Sequence, residues 1–252
     1  MSYDLITKGM QGDALRTAHN AVIADFDALE LRRTWKGKKM VCFGDSIWPT
    51  QMIQPELVRL LGTTYNHVEC RDGIDGGHPM FLSGTGIASS NPGVSDAFYY
   101  RADDVPDHEA DLFICEGGIN DTLGGTYGPT SYTHTDAVYT GTDIAGDGPS
   151  YVSVLKGFFR KLIINNPNMF IVFMGRYTYE QSEPSADNMV RIMARQAADE
   201  YCCRWAGVTY VDPLKFGIGF MNTSNFMTSS AHPNAAGAAL IARAFAKAAT
   251  FV

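Results

Sequence analysis

The chain has 252 residues, of which 45% are hydrophobic, and a net charge of -7. That length allows one large α/β domain or two small ones, and the apolar content argues against disorder. An acidic balance with no basic run excludes nucleic acid and anionic membrane surfaces as expected partners, and no apolar segment is long enough to span a membrane.

The chain opens with Asp4 in its first ten residues and no apolar stretch of the kind a secretory leader carries, so no signal peptide is expected. Five cysteines are an odd number, and none of their spacings fits a zinc site or a disulfide framework. A reducing compartment is the simplest inference, cytoplasmic or within a larger assembly. Residues 11–33 read as a helix with Leu15, Ala18, Val22, Phe26 and Leu29 at helical spacing. Residues 1–35 are therefore expected to form a helical extension, and 36–252 the main domain. The extension either docks on its own domain or pairs with a second copy in a homo-oligomer.

The run from Lys39 to Phe43 reads as a buried strand and stops at Gly44-Asp45-Ser46. Residues 51–61 follow as a helix with Met52, Ile53, Leu57, Leu60 and Leu61 on one face. Tyr65 to Arg71 is a second strand, and Asp72 to Gly77 a loop of residues that tolerate positive φ. Residues 78–110 show little periodicity. Asp111 to Glu116 is a third strand, ending at Gly118-Ile119-Asn120-Asp121. The stretch 122–150 is dense in Gly, Thr, Tyr and Asp, and a loop of that length is expected to be functional or disordered. Tyr151 to Asn165 is helical, and Met169 to Met174 a fourth strand. A helix begins at Ser185, with Met189, Ile192, Met193, Gln196 and Ala197 on one side, and carries the adjacent Cys202 and Cys203. Val208 to Val211 is a fifth strand, and a last helix runs from about Asn234 to Ala249. Strands alternating with helices predict an α/β domain with a parallel sheet and right-handed crossovers.

In such a sheet the carboxyl ends of the strands open on one edge. Ser46 ends the first strand, Asn120 follows the third, and His232 precedes the last helix, so all three can meet there. A serine hydroxyl needs a base within hydrogen-bond reach to act as a nucleophile, and its tetrahedral intermediate needs donors aimed at the oxyanion. The elbow Gly-x-Ser-x-Gly is absent, since Gly93-Val94-Ser95-Asp96-Ala97 fails at its last position. No Gly-x-Gly-x-x-Gly follows the first strand, which argues against a dinucleotide site.

Gly44-Asp45-Ser46, Gly118-Ile119-Asn120-Asp121 and His232-Pro233 with Gly237, in that order, resemble the SGNH hydrolase superfamily, the GDSL esterases and lipases. Gly73-Ile74-Asp75-Gly76 fits its second block, Gly-x-Ser-Gly, except for Asp in place of Ser. The resemblance implies a three-layer α/β/α domain with a parallel, flavodoxin-like sheet, and ester hydrolysis without metal or cofactor. It implies that Ser46 is the nucleophile and His232 the base, with the oxyanion held by the N–H groups of Ser46 and Gly76 and the amide of Asn120. Asp45 and Asp121 are expected to brace their loops. The family places an Asp three residues before the histidine, where this chain has Ser229. Three explanations stand: Ser229 or a backbone carbonyl orients His232; a carboxylate from another loop does, with Glu180 and Glu183 as candidates by position; or the chain is a degenerate hydrolase that only binds. Tyr127, Tyr132 and Tyr139, with Tyr151 at the loop's end, stand among polar neighbours, a pattern suited to sugars. An O-acetyl carbohydrate esterase is thus the expected function, with a short-chain lipase or general esterase as the alternative. The expected partner is a small-molecule or carbohydrate ester.

Overall fold

The computed structural model describes residues 34–48, 52–65, 81, 85–87, 97–105, 110–121, 138–139, 150–175, 186–217, 223–228 and 232–250. Five strands, β1 (Lys39–Phe43), β2 (Thr64–Tyr65), β3 (Leu112–Glu116), β4 (Phe170–Met174) and β5 (Thr209–Val211), lie in the order β2-β1-β3-β4-β5. Every neighbouring pair is parallel. This is the flavodoxin-like order, whose direction of winding reverses between β1 and β3. The expected second strand reached to Arg71; its residues beyond Tyr65 lie outside the described part of the chain.

A parallel sheet is covered on both faces, so its strands need apolar side chains on both. Here Val41, Phe43, Phe113, Cys115, Ile171 and Phe173 point into one core. Met40, Cys42, Leu112, Ile114, Val172 and Met174 point into the other. The first core is closed by α2 (Phe98–Arg101), α3 (Tyr151–Asn165) and α4 (Ala186–Ala206). The second is closed by α1 (Ile53–Leu61) and α6 (Ala235–Ala248), while α5 (Thr223–Phe226) is a single turn ahead of α6. The result is the expected three-layer α/β/α arrangement. Trp35, assigned from sequence to the extension, sits in the second core: its Nε1 donates to Ala249 O at 2.9 Å and its ring meets Phe170 at 5.7 Å. The helix expected over 11–33 lies outside the described residues.

Local sequence explains where the helices start. Ser150 caps α3 by accepting from Ser153 N at 3.2 Å, and Asn234 caps α6 by accepting from Gly237 N at 3.0 Å. The helix α4 begins one residue after its expected start, and its buried stripe shares only Ile192 with the side read from sequence. Ile192, Arg195, Ala198, Asp199, Cys202 and Cys203 are buried, whereas Met193 is 59% exposed. Two charged side chains occupy the inner stripe because partners there receive them. Tyr151 donates to Asp199 Oδ1 at 2.6 Å. The Arg195 guanidinium lies 3.8 Å from the centre of the Tyr151 ring and donates to Gly118 O at 3.4 Å. Among the described residues no helix is long and apolar enough to cross a membrane.

Candidate active site

β1 delivers Ser46 to the carboxyl edge of the sheet, at the reversal between β1 and β3. Glycine at 44 is required by space. A Cβ there would meet Trp48 Cδ1 and Nε1 at 2.2 Å and Glu116 O at 2.7 Å. Asp45 is fully buried, and its Oδ1 accepts from Ile47 N at 3.1 Å, which fixes the turn carrying Ser46.

His232 is brought back to this edge by the segment before α6. Thr228 N donates to His232 O at 2.9 Å, Asn234 N donates to Phe226 O at 2.8 Å, and Met227 bridges Pro233. Gly237 lets the helix close on this segment, since a Cβ there would lie 2.1 Å from Phe226 O. The outcome is a contact of 3.0 Å between His232 Nε2 and Ser46 Oγ, across 186 residues of sequence. With Nε2 unprotonated, the serine O–H donates to it, the arrangement that lets imidazole take a hydroxyl proton.

Asn120 follows β3. Its loop turns at Gly118, where φ is 92°, a value open to glycine at no steric cost. The Asn120 amide donates to Asp45 Oδ2 at 3.1 Å and to Thr85 O at 2.9 Å. Asp121 accepts from Ile87 N at 2.8 Å and lies 3.9 Å from Arg195 Nη1, both side chains fully buried. Arg101 donates to Gly44 O at 3.1 Å and to Thr85 Oγ1 at 2.9 Å, with its guanidinium packed on the rings of Phe43 and Phe98. Residues 85–87 are thus tied on one side to β1 through Arg101 and on the other to the Asn120 loop. Asp45 and Asp121 brace these loops, as expected from sequence.

Below the Ser46 turn the charge is unusual. Glu116 ends β3 and is fully buried, next to Asp45. Burial first, then the charge of Asp45, pushes its carboxyl well above the usual range. Burial also pushes Asp45 up to about 7, opposed by the Ile47 N–H and the Arg101 guanidinium.

Ser46, Asn120 and His232 were expected at one edge; Ser46 meets His232 directly, and Asn120 is tied to Asp45, the residue before Ser46. Tyr139, expected in a substrate loop, is 8% exposed and packs against Tyr99 at 4.7 Å between ring centroids. Tyr151 is likewise in the core. Gly76, Ser229, Glu180, Glu183, Tyr127 and Tyr132 lie outside the described residues. Thr85, Arg101, Glu116 and Arg195 escaped the sequence reading. Glu116 had a signal: it is a carboxylate closing an apolar run, directly before the glycine turn. Among the described residues no group of three or more His, Cys, Asp or Glu could hold a metal ion.

The family model for GDSL-like lipases and acylhydrolases matches residues 40–245. Among solved structures, a protein from Lactobacillus plantarum superposes with a TM-score of 0.59 at 19% identity, over 83% of this chain and 94% of that one. An α/β hydrolase from the metagenome of Lake Arreo, Spain, gives 0.55 at 15% identity, over 86% and 98%. The acetylxylan esterase of Geobacillus stearothermophilus gives 0.53 at 16% identity, over 86% and 96%. At these identities the likeness is one of fold. No curated protein matches the chain.

Proposed function

For a chain that belongs to the GDSL-like lipase/acylhydrolase family of the SGNH hydrolases, we propose a serine esterase acting on short acyl esters through an acyl-enzyme. The observation that carries this reading is the 3.0 Å contact between Ser46 Oγ and His232 Nε2 at the reversal point of a parallel sheet. In the proposed cycle His232 takes the serine proton as Oγ attacks the ester carbonyl. It then returns the proton to the leaving alkoxide. Water, activated by the same imidazole, attacks the acyl-enzyme and releases the acid. The oxyanion is met by the N–H of Ser46 and the amide of Asn120, with Gly76 as a third donor. To donate forward, Asn120 gives up its contact to Thr85 O and keeps the one to Asp45 Oδ2.

The acyl group in this proposal is small, and the alcohol is a carbohydrate. The polar composition of residues 122–150 supports a short acyl chain. Support for a carbohydrate alcohol comes from the sequence, where Tyr127 and Tyr132 stand among polar neighbours, and from the activity named for the Geobacillus structural neighbour; Tyr139 adds none, since it is packed in the core. The test combines labelling and turnover. A fluorophosphonate should label wild type at Ser46, and Ser46→Ala should neither be labelled nor hydrolyse p-nitrophenyl acetate while keeping its circular dichroism spectrum. Activity retained in a folded Ser46→Ala would overturn the mechanism. A kcat/KM that rises from acetyl through butyryl to octanoyl esters would replace the carbohydrate esterase with a lipase.

A further inference from the structure

We propose that Glu116 is a positioning residue that shares a proton with Asp45 and, through Asp45, sets both the Ser46 turn and the amide of Asn120. This rests on the reading of Asn120 as an oxyanion donor. Two acceptors face each other beneath the Ser46 turn. Among the described residues no N–H or hydroxyl reaches either carboxyl oxygen of Glu116, and the group is fully buried. Its polar neighbour is Asp45: Phe43 pairs with Cys115, so Gly44-Asp45 and Glu116 leave adjacent parallel strands side by side, with a Cβ on Gly44 only 2.7 Å from Glu116 O, and the two carboxyls act on each other. Two buried carboxylates side by side repel each other, and one proton shared between them removes that repulsion and supplies a donor.

Which carboxyl holds that proton follows from the other contacts. Both Asp45 oxygens already accept, Oδ1 from Ile47 N at 3.1 Å and Oδ2 from Asn120 Nδ2 at 3.1 Å. An N–H donor favours the ionised form of its acceptor. Glu116 receives no such donor, so it stays protonated and donates to Asp45. The remaining charges around the pair agree. Arg101, from α2, holds Gly44 O and lowers Asp45. Asp121, from the loop after β3, raises Asp45 but faces Arg195 from α4. Cys115, the residue before Glu116, is held as a thiol by burial. The pair as a whole thus carries one negative charge beside one guanidinium.

The consequence is a carboxylate with three fixed donors: the backbone just past the nucleophile, the oxyanion-hole amide, and Glu116. Remove the third and Asp45 becomes harder to ionise, so its grip on Ile47 N and Asn120 Nδ2 weakens. Preorganised donors act on charge that develops in the transition state, and their loss is expected in kcat rather than in KM.

The experiment compares Glu116→Gln and Glu116→Leu. Glutamine keeps a neutral donor toward Asp45; leucine keeps bulk and fits an apolar site, but donates nothing. Glu116→Gln should keep kcat on p-nitrophenyl acetate within a few-fold. Glu116→Leu should lose on the order of ten- to a hundred-fold in kcat, part of what one oxyanion donor is worth, with KM unchanged and partial recovery as pH rises and Asp45 ionises. A leucine variant as active as wild type, or a glutamine variant as damaged as leucine, would overturn the role. The proton is read independently of activity by infrared spectroscopy at about pH 9, above the value near 7 to which Asp45 is raised. The carbonyl stretch of a protonated carboxyl should be present in wild type and missing from Glu116→Gln. Its absence from the difference spectrum overturns the shared proton, even where leucine fails to fold. That result leaves the serine mechanism standing, whereas failure of fluorophosphonate labelling removes the mechanism and leaves the proton.

Discussion

Replacing Glu116 by glutamine should make the protein's stability less sensitive to alkali, by a calculable slope. Glu116 is fully buried and its carboxyl is raised well above its ordinary value of 4.5. In the unfolded chain the same group ionises near that value. Above pH 4.5 the folded state therefore binds one proton that the unfolded state has released. Stability then falls as pH rises, since it falls wherever the native state holds more protons. The favourable contribution is complete below 4.5 and is lost progressively as pH climbs toward the raised folded value. One proton corresponds to about 1.4 kcal/mol per pH unit. Between pH 5 and 8 the stability of Glu116→Gln relative to wild type should thus rise, by about 1.4 kcal/mol for each pH unit over which Glu116 stays protonated in the fold, with little difference at pH 4. Asp45, also raised, imposes its own slope up to about pH 7, but it is present in both proteins and largely cancels. The assay is urea unfolding followed by fluorescence, with Trp35 and Trp48 buried as reporters, at unit steps of pH from 4 to 8. Two curves that run parallel across this range would mean that Glu116 is ionised in the fold, and the account of the acid pair would fail with them.

Two further outcomes test the surroundings of the pair. Asn120→Ala should lower kcat by on the order of 10² to 10³ with a small change in KM, as for one oxyanion donor, measured by steady-state kinetics on p-nitrophenyl acetate; a change confined to KM would make Asn120 a substrate-binding residue. Tyr151→Phe removes the 2.6 Å hydrogen bond to the buried Asp199 carboxylate. It should reduce unfolding free energy by about 1.5–3 kcal/mol, the worth of a hydrogen bond to a charged group, and a change under about 0.5 kcal/mol would deny that bond its role.

The sheet was legible because parallel strands buried on both faces are written as continuous apolar runs. Phe170 to Met174 and the helix Tyr151 to Asn165 could be read directly. What failed has a common cause. Arg195 and Asp199 occupy an inner helical stripe, and Arg101 and Glu116 lie fully buried under the site. Hydrophobic periodicity assigns charged residues to solvent, and only partners distant in sequence reverse that assignment. The helix Phe98–Arg101 is a single turn, too short to show a period. The meeting of Ser46 and His232 followed from topology, since both end segments at the same sheet edge. The wiring behind Asn120, through Thr85 and Asp45, did not, because Thr85 contributes a backbone carbonyl, which no side-chain pattern records.

Gly44 shows how a motif residue can be needed for a reason its usual role does not suggest. Glycines in turns are commonly explained by positive φ, and that explanation suits Gly118. Gly44 is absent from the positive-φ glycines and instead sits where β1 passes between the Trp48 ring and the carbonyl of Glu116. Trp48 is fully buried, stacked on Phe81 at 5.8 Å and tilted against Phe245 at 5.9 Å. A methyl group on residue 44 therefore forces either the ring or the strand to move. Overpacking of this kind costs about 1–3 kcal/mol, and a displacement of the nucleophile by about 1 Å costs about a hundredfold in rate. Gly44→Ala should show both losses. Truncating the ring by Trp48→Leu relieves the contact at 2.2 Å but leaves the one at 2.7 Å to the backbone of Glu116. The double variant should therefore be more stable than the sum of the single losses predicts, by about 0.5–3 kcal/mol, without recovering full activity. Urea unfolding by circular dichroism on all four proteins measures the coupling. Strict additivity, within about 0.5 kcal/mol, would show that the ring does not set the space at residue 44.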